Sequence, residues 1–167
     1  MKKIEYNLMQ PIVYAAKKHS SQMYGDVPYL VHLMHVSQIL ISYSYTDYTT
    51  QVAAILHDVL EDTDATRAEL EKIFDWEIAT RVWACSDEEG RNRKERKAKV
   101  YEKLASYPNA IVIKLADRIA NVESCILNKN ERLYRMYKKE YPEFKEKLQS
   151  HSRSHNDLWN YLDYLME

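Results

Sequence analysis

The sequence predicts an all-α fold, one domain spanning residues 1–167 and built as a helical bundle of about eight to nine helices. Three observations predict it. Gly25 and Gly90 are the only glycines in 167 residues, whereas ordinary usage of about 7% would supply roughly a dozen. With only four prolines as well, too few turn residues remain for the hairpins of a sandwich or barrel. Apolar side chains recur at three- and four-residue spacing along most of the chain, and helix-capping residues stand where those runs begin.

The elements follow in order. Leu8, Ile12, Ala15, Ala16, His19 and Met23 share one helical face and predict a first helix over about Asn7 to Met23. Gly25 and Pro28 then break the pattern in Tyr24-Gly25-Asp26-Val27-Pro28-Tyr29, because the residue before proline avoids the α region. A second helix is expected over about Leu30 to Ser44. A third follows Asp47, a good N-cap, and carries Val52, Ile55, Leu56, Val59 and Leu60. Thr66-Arg67-Ala68-Glu69 is a capping box and places a fourth helix before Phe74. Trp76 to Cys85 reads as a fifth. The polar segment Asp87 to Arg93 is a loop, and a sixth helix covers about Lys94 to Ser106. Ile111-Val112-Ile113 has strand composition, but Leu115, Ile119 and Val122 continue it at helical spacing, which predicts a helix. Two more helices are expected over about Glu131 to Ser150 and Asn156 to Met166.

Composition also excludes functions. The 24 Lys and Arg against 25 Asp and Glu leave a formal charge of −1, which argues against a nucleic-acid partner. A P-loop or dinucleotide fingerprint needs several close glycines, so neither can exist here. No apolar run approaches the roughly 20 residues of a membrane span, so no membrane partner is expected. The start, Met1-Lys2-Lys3-Ile4-Glu5-Tyr6, lacks the apolar stretch of a signal peptide. Cys85 and Cys125 have no CxxC spacing and read as reduced thiols of a cytoplasmic protein.

The chemistry concentrates in a few polar residues set in apolar runs. His57-Asp58 interrupts Ala53-Ala54-Ile55-Leu56 and Val59-Leu60, where an unpaired carboxylate would cost several kcal/mol, so Asp58 needs a cation or donors nearby. Glu61 and Asp62 follow one turn on, giving one helical edge an imidazole and three carboxylates. Imidazole with carboxylate suits Mn²⁺, Fe²⁺ or Zn²⁺ better than Mg²⁺ or Ca²⁺. His32 in Tyr29-Leu30-Val31-His32-Leu33-Met34 and Asp117 in Leu115-Ala116-Asp117-Arg118-Ile119 repeat the oddity. Two His and two Asp could hold one ion and leave positions open for water or a phosphate oxygen.

In these residues the chain resembles the HD-domain metal phosphohydrolases, through the order His32, His57-Asp58, Asp117. It resembles most the hydrolase domain of RelA/SpoT-type enzymes and the small alarmone hydrolases. The supporting segments are Ala15-Ala16-Lys17-Lys18-His19, Pro28-Tyr29-Leu30-Val31-His32, His57-Asp58-Val59-Leu60-Glu61-Asp62-Thr63 and Leu115-Ala116-Asp117-Arg118-Ile119-Ala120-Asn121. The pattern extends over about residues 8 to 125, and no synthetase region is expected. The resemblance implies that His32, His57, Asp58 and Asp117 hold one Mn²⁺ per chain, with Fe²⁺ or Zn²⁺ less favoured. It implies that Glu61 and Asp62 orient or deprotonate the attacking water. The reaction implied is removal of the 3′-pyrophosphate from guanosine tetra- or pentaphosphate. Asn121, Lys97 and, more loosely, Tyr137 match positions that contact the nucleotide or its phosphates.

Two departures bear on the substrate. Family members carry basic residues between the positions of Gln22 and Pro28, and here that stretch is Met23-Tyr24-Gly25-Asp26-Val27. His32 is followed by Leu33 where the family has proline. Arg91 to Lys99 is the dense basic segment, so Arg93 and Lys97 become candidate phosphate contacts, against the alternative of a solvated helix start. Asp117 alone would suit a salt bridge to Lys114 or Arg118; the set of four makes it a ligand. His19 reads as structural, His35 as outside the ligand set, and His151 and His155 as surface residues.

Three functions remain in view. They are a guanosine 3′,5′-bis(diphosphate) 3′-pyrophosphohydrolase, an HD phosphohydrolase for another nucleotide such as a 2′- or 5′-phosphate, and a non-enzymatic helical module with a structural metal. The expected partner is a small guanine nucleotide, and the oligomeric state is open between monomer and weak homodimer.

Overall fold

The computed structural model describes residues 8–167. Helix α1 (Met9–His19) leads into a short antiparallel hairpin, β1 (Met23–Tyr24) and β2 (Val27–Pro28). Then come α2 (Leu30–Ser42), α3 (Tyr48–Leu56), the single turn α4 (Val59–Asp62), α5 (Arg67–Ile73), α6 (Trp76–Cys85) and α7 (Arg93–Ser106). A 3₁₀ turn at Pro108–Ala110 opens α8 (Ile111–Leu127), which is followed by α9 (Glu131–Leu148) and, after two more 3₁₀ turns, α10 (Asn156–Met166). With α4 counted as the end of α3, the described residues hold nine helices. The all-α expectation is borne out.

The caps explain the boundaries. Asp47, Thr66 and Asp75 each accept a hydrogen bond from the backbone N–H three residues on, as N-caps do. Asn92 does the same for Glu95, so α7 begins at Arg93 rather than after it. The first helix differs from expectation. It ends at His19, not Met23, because Ser20 takes a positive φ of 24° and the chain turns into the hairpin. Asn7, the expected start, lies outside the described residues. Gly25 sits at the first of the two turn positions with φ +60°, where a two-residue hairpin loop needs the left-handed region that glycine enters freely.

The third helix also differs. A continuous helix through His57-Asp58 was expected, and the structure breaks it there, between α3 and α4. The cause is local. His57 Nδ1 donates to the Ala54 carbonyl at 2.8 Å, the oxygen that a continuing helix would offer to the Asp58 N–H. The bend re-aims Asp58 relative to the preceding turn.

Helix α8 runs through the core, and every residue from Ile111 to Ala120 is buried. It packs against α2, α9 and α10, and Leu33, Leu40, Ile55, Leu56, Ile113, Leu115, Phe144 and Trp159 are fully enclosed. Both cysteines are buried and free. Cys85 donates to the Ala110 carbonyl at 3.5 Å, and burial pushes its thiol up to about 12.

Candidate functional site

The break between α3 and α4 brings His57 and Asp58 to the same point as His32 from α2 and Asp117 from α8. One ligand atom each from His32, His57 and Asp117 lie within 4.8 Å of one another. Asp58 Oδ2 joins them, 3.0 Å from His57 Nε2 and 3.7 Å from His32 Nε2. Asp117 Oδ1 is 3.3 Å from His32 Nε2 and 3.6 Å from His57 Nε2. All four residues are buried. The structure thus gathers the four sequence-predicted candidates from three separate elements.

The chemistry of this donor set fits a divalent cation. The bond from Nδ1 to Ala54 fixes the His57 tautomer and leaves the Nε2 lone pair facing the carboxylates. Nε2 is buried and makes no hydrogen bond of its own, although Asp58 is near. Burial would lower the His57 pKa, but the Asp58 and Asp117 carboxylates overcome it and raise it to about 10. A field that strong favours positive charge between the two rings. Burial likewise opposes ionisation of Asp58 and Asp117, yet His57 beside Asp58 and Lys114 beside Asp117 hold both below the usual carboxylate range.

A second layer orients these groups. The Tyr29 hydroxyl donates to Asp58 Oδ2 at 2.6 Å. Buried Lys114 lies 3.2 Å from Asp117 Oδ2, so the lysine pairing and a ligand role for Asp117 coexist on its two oxygens. Asn121, one turn further along α8, donates from Nδ2 to Asp117 Oδ1 at 2.6 Å and accepts from the Tyr24 hydroxyl at 2.8 Å. The Tyr24 ring stacks on His32, with centroids 4.6 Å apart and planes 18° apart.

Glu61 and Asp62 stand at the exposed edge of this centre. Glu61 Oε2 accepts from the Asp87 N–H at 2.9 Å. Crowding by protein raises its pKa, against the pull of Lys114 and of that N–H. Gln22 donates to Asp62 Oδ2 at 2.8 Å and bonds His19 Nδ1 at 2.8 Å through its own oxygen. His19 is buried and stacks on Tyr29 at 4.8 Å. His35 pairs with Glu123 at 2.8 Å instead of joining the four.

The basic segment is less free than the sequence suggests. Lys97 lies between both oxygens of Asp87, at 2.8 and 3.1 Å, and burial lowers its pKa. Arg93 is held by Glu140 at 2.5 and 3.2 Å, and Arg118 meets the same carboxylate at 3.4 Å. Tyr137 lies under the Arg118 guanidinium, 4.8 Å from ring centroid to cation. Sequence reasoning missed Tyr24, Tyr29, Asp87, Arg118 and Glu140. Of these Tyr29, three residues before His32, and Arg118, next to Asp117, lie in segments the sequence had singled out; the others act through partners distant in the chain.

The HD domain family matches residues 12–144. A guanosine-3′,5′-bis(diphosphate) 3′-pyrophosphohydrolase, MESH1 of Drosophila melanogaster, is 38% identical over 125 residues, covering 72% of this chain and 70% of that protein. The Homo sapiens MESH1 is 35% identical over 120 residues, covering 69% and 67%. A solved structure described as a metazoan orthologue of SpoT that hydrolyses ppGpp superposes with a TM-score of 0.71 at 28% identity, over 92% of this chain and 94% of that one. With its two histidines and two aspartates converging from α2, the α3–α4 break and α8, the chain belongs to the HD-domain family.

Proposed function

We propose that the protein is a metal-dependent guanosine 3′,5′-bis(diphosphate) 3′-pyrophosphohydrolase that degrades this nucleotide. The observation that carries the reading is the buried meeting of His32, His57, Asp58 and Asp117 beside Glu61 and Asp62, in a chain similar over most of its length to hydrolases of that substrate. His32, His57, Asp58 and Asp117 would hold one Mn²⁺, since imidazole and carboxylate together favour it over Mg²⁺ or Ca²⁺. A divalent cation there supplies Lewis acidity toward water and phosphate oxygen.

The side chains divide the remaining work. Glu61 is anchored through Oε2 by the Asp87 N–H, so Oε1 is the atom that takes the proton of the attacking water. The raised pKa of Glu61 suits a group that must accept that proton and later release it. Asp62, fixed by Gln22, orients the water from the other side. Water adds to the phosphorus next to the 3′-oxygen, the bond between them breaks, the 3′-oxygen takes up a proton, and pyrophosphate leaves. Lys97 and Arg93 would meet phosphate oxygens by exchanging Asp87 and Glu140 for them, while Asn121 and Tyr137 border the nucleotide. This assignment treats residues 1–167 as one domain working in the cytoplasm, as a monomer or weak homodimer, without nucleic-acid or membrane partners.

A second reading, hydrolysis of another nucleotide phosphate, is favoured by one observation: the hairpin Met23–Pro28 carries no cation. Incubating the Mn²⁺-loaded protein with a nucleotide panel and weighing the products decides between them. Pyrophosphate and guanosine 5′-diphosphate are expected from guanosine tetraphosphate. Turnover of other nucleotides with none of that one would overturn the assignment.

A further inference from the structure

The hairpin is exposed except at one place. Met23 and Val27 are 53% and 40% exposed, whereas Tyr24 turns inward and is half-buried. Its ring lies flat on the His32 imidazole, while Tyr29 meets the same imidazole edge-on at 5.5 Å. The two tyrosines also touch each other at 6.0 Å, nearly perpendicular. His32 Nδ1 is buried and has no hydrogen-bond partner. In place of the hydrogen bond that usually orients a ligating histidine through its second nitrogen, His32 has aromatic packing. The hydroxyl of the same Tyr24 donates to Asn121 Oδ1. The Asp117 carbonyl and carboxylate can only accept, so Asn121 presents Nδ2 to both of them, and the Tyr24 bond holds the same amide from its oxygen end. One side chain therefore touches the supports of two candidate ligands on different helices.

We infer that Tyr24 is a positioning residue of the metal centre, setting the ring plane of His32 by stacking and the Asp117 carboxylate through Asn121. This rests on the metal assignment above. It gives the hairpin a purpose that needs no positive charge, since its contacts are to the centre itself. The inward turn of Tyr24 depends in turn on Gly25, whose φ of +60° closes the loop and keeps Tyr24 paired with Val27.

The test is a Mn²⁺ titration of metal-stripped protein, run with steady-state kinetics on guanosine tetraphosphate, for wild type, Tyr24→Phe and Tyr24→Leu. Tyr24→Phe keeps the stacking and loses only the bond to Asn121, so Mn²⁺ affinity should fall several-fold. Tyr24→Leu loses both, and affinity or kcat should fall about 10- to 100-fold, the usual scale for groups that orient ligands. KM measured at saturating Mn²⁺ should stay within twofold in both variants. Wild-type Mn²⁺ affinity and kcat in both variants would overturn the inference while leaving the metal assignment intact. A raised KM with unchanged Mn²⁺ affinity would also overturn it, making Tyr24 a substrate contact. A wild type that takes up no Mn²⁺ would overturn both.

Discussion

At the candidate metal centre two imidazoles and two carboxylates crowd together, with His57 Nε2 unpaired among them. Along the seam beside α7 the carboxylates already hold cations: Asp87, in the loop before α7, takes Lys97, and Glu140 of α9 takes Arg93 and, from α8, Arg118. The seam is complete as folded. The donor set of the centre suits a cation, and its geometry is held by Lys114, Tyr29, Asn121 and the Ala54 carbonyl. Both regions use the same side-chain types, but at the centre a buried imidazole nitrogen lacks a hydrogen-bond partner, whereas at the seam a ligand could enter only by exchange for an existing ion pair.

The comparison breaks most visibly at Asp117. Asp117→Ala removes one candidate ligand and leaves Lys114 buried without its partner. Removing one member of a buried pair costs about 3–5 kcal/mol, so both metal content and the melting temperature should fall. Elemental analysis and calorimetry read the two losses. Retention of full metal content would place the centre elsewhere. Glu61→Gln should act on chemistry alone, keeping metal and fold while turnover drops about 10²–10⁴-fold, the scale of a general base. Because the Glu61 pKa is raised, the acid limb of wild-type turnover should lie above the ordinary glutamate value and vanish in the variant. Unchanged turnover would shift the role to Asp62.

The seam gives smaller and more selective effects. Arg93→Ala should raise KM with little change in kcat, since a phosphate contact acts in both ground and transition states. Lys97→Ala should raise KM and also lower kcat, because it frees Asp87, whose N–H anchors Glu61. In the double variant KM should depend less steeply on ionic strength than in wild type; equal slopes would leave Arg93 and Lys97 to their ion pairs with Glu140 and Asp87. The smallest effect belongs to an exterior pair, Lys145 with Asp163 at 2.6 Å. Burial opposes ionisation of Asp163, but Lys145 and Tyr141 hold its pKa below the ordinary value. A lowered folded-state pKa means its stabilisation is present above the ordinary aspartate value and is lost as pH falls through the folded one. Asp163→Asn should therefore narrow its gap from wild type only in acid, and by less than about 1 kcal/mol, because solvent screens the pair. A gap that widens on acidification would contradict the pairing.

How much of this was legible in the sequence follows the same division. His32, His57, Asp58 and Asp117 stood out because each is a polar residue inside an apolar helical run, which physics does not leave unpartnered. Helix starts were readable at Asp47 and Thr66 because both cap locally, three residues from their partners. The break at His57 was not readable, since it depends on which way an imidazole turns toward its own backbone. Nor was the fate of Arg93, whose partner Glu140 lies 47 residues away. A run of basic residues looks the same in sequence whether it waits for phosphate or is already neutralised. The hairpin escaped because its strands are two residues long, too short for any alternation to register.

The buried thiols have a practical consequence. With its pKa near 12, Cys85 presents almost no thiolate at neutral pH, and Cys125, 5% exposed, is raised as well by burial. Alkylating reagents attack thiolates, so native protein should label only as fast as it opens. Cys85 lies in the helix that packs against the start of α8, close to the centre, and its labelling rate is thus a clock for opening of the core. Run with and without added Mn²⁺, that clock reads how far a bound cation slows the opening of the whole domain, with no substrate and no turnover in the measurement.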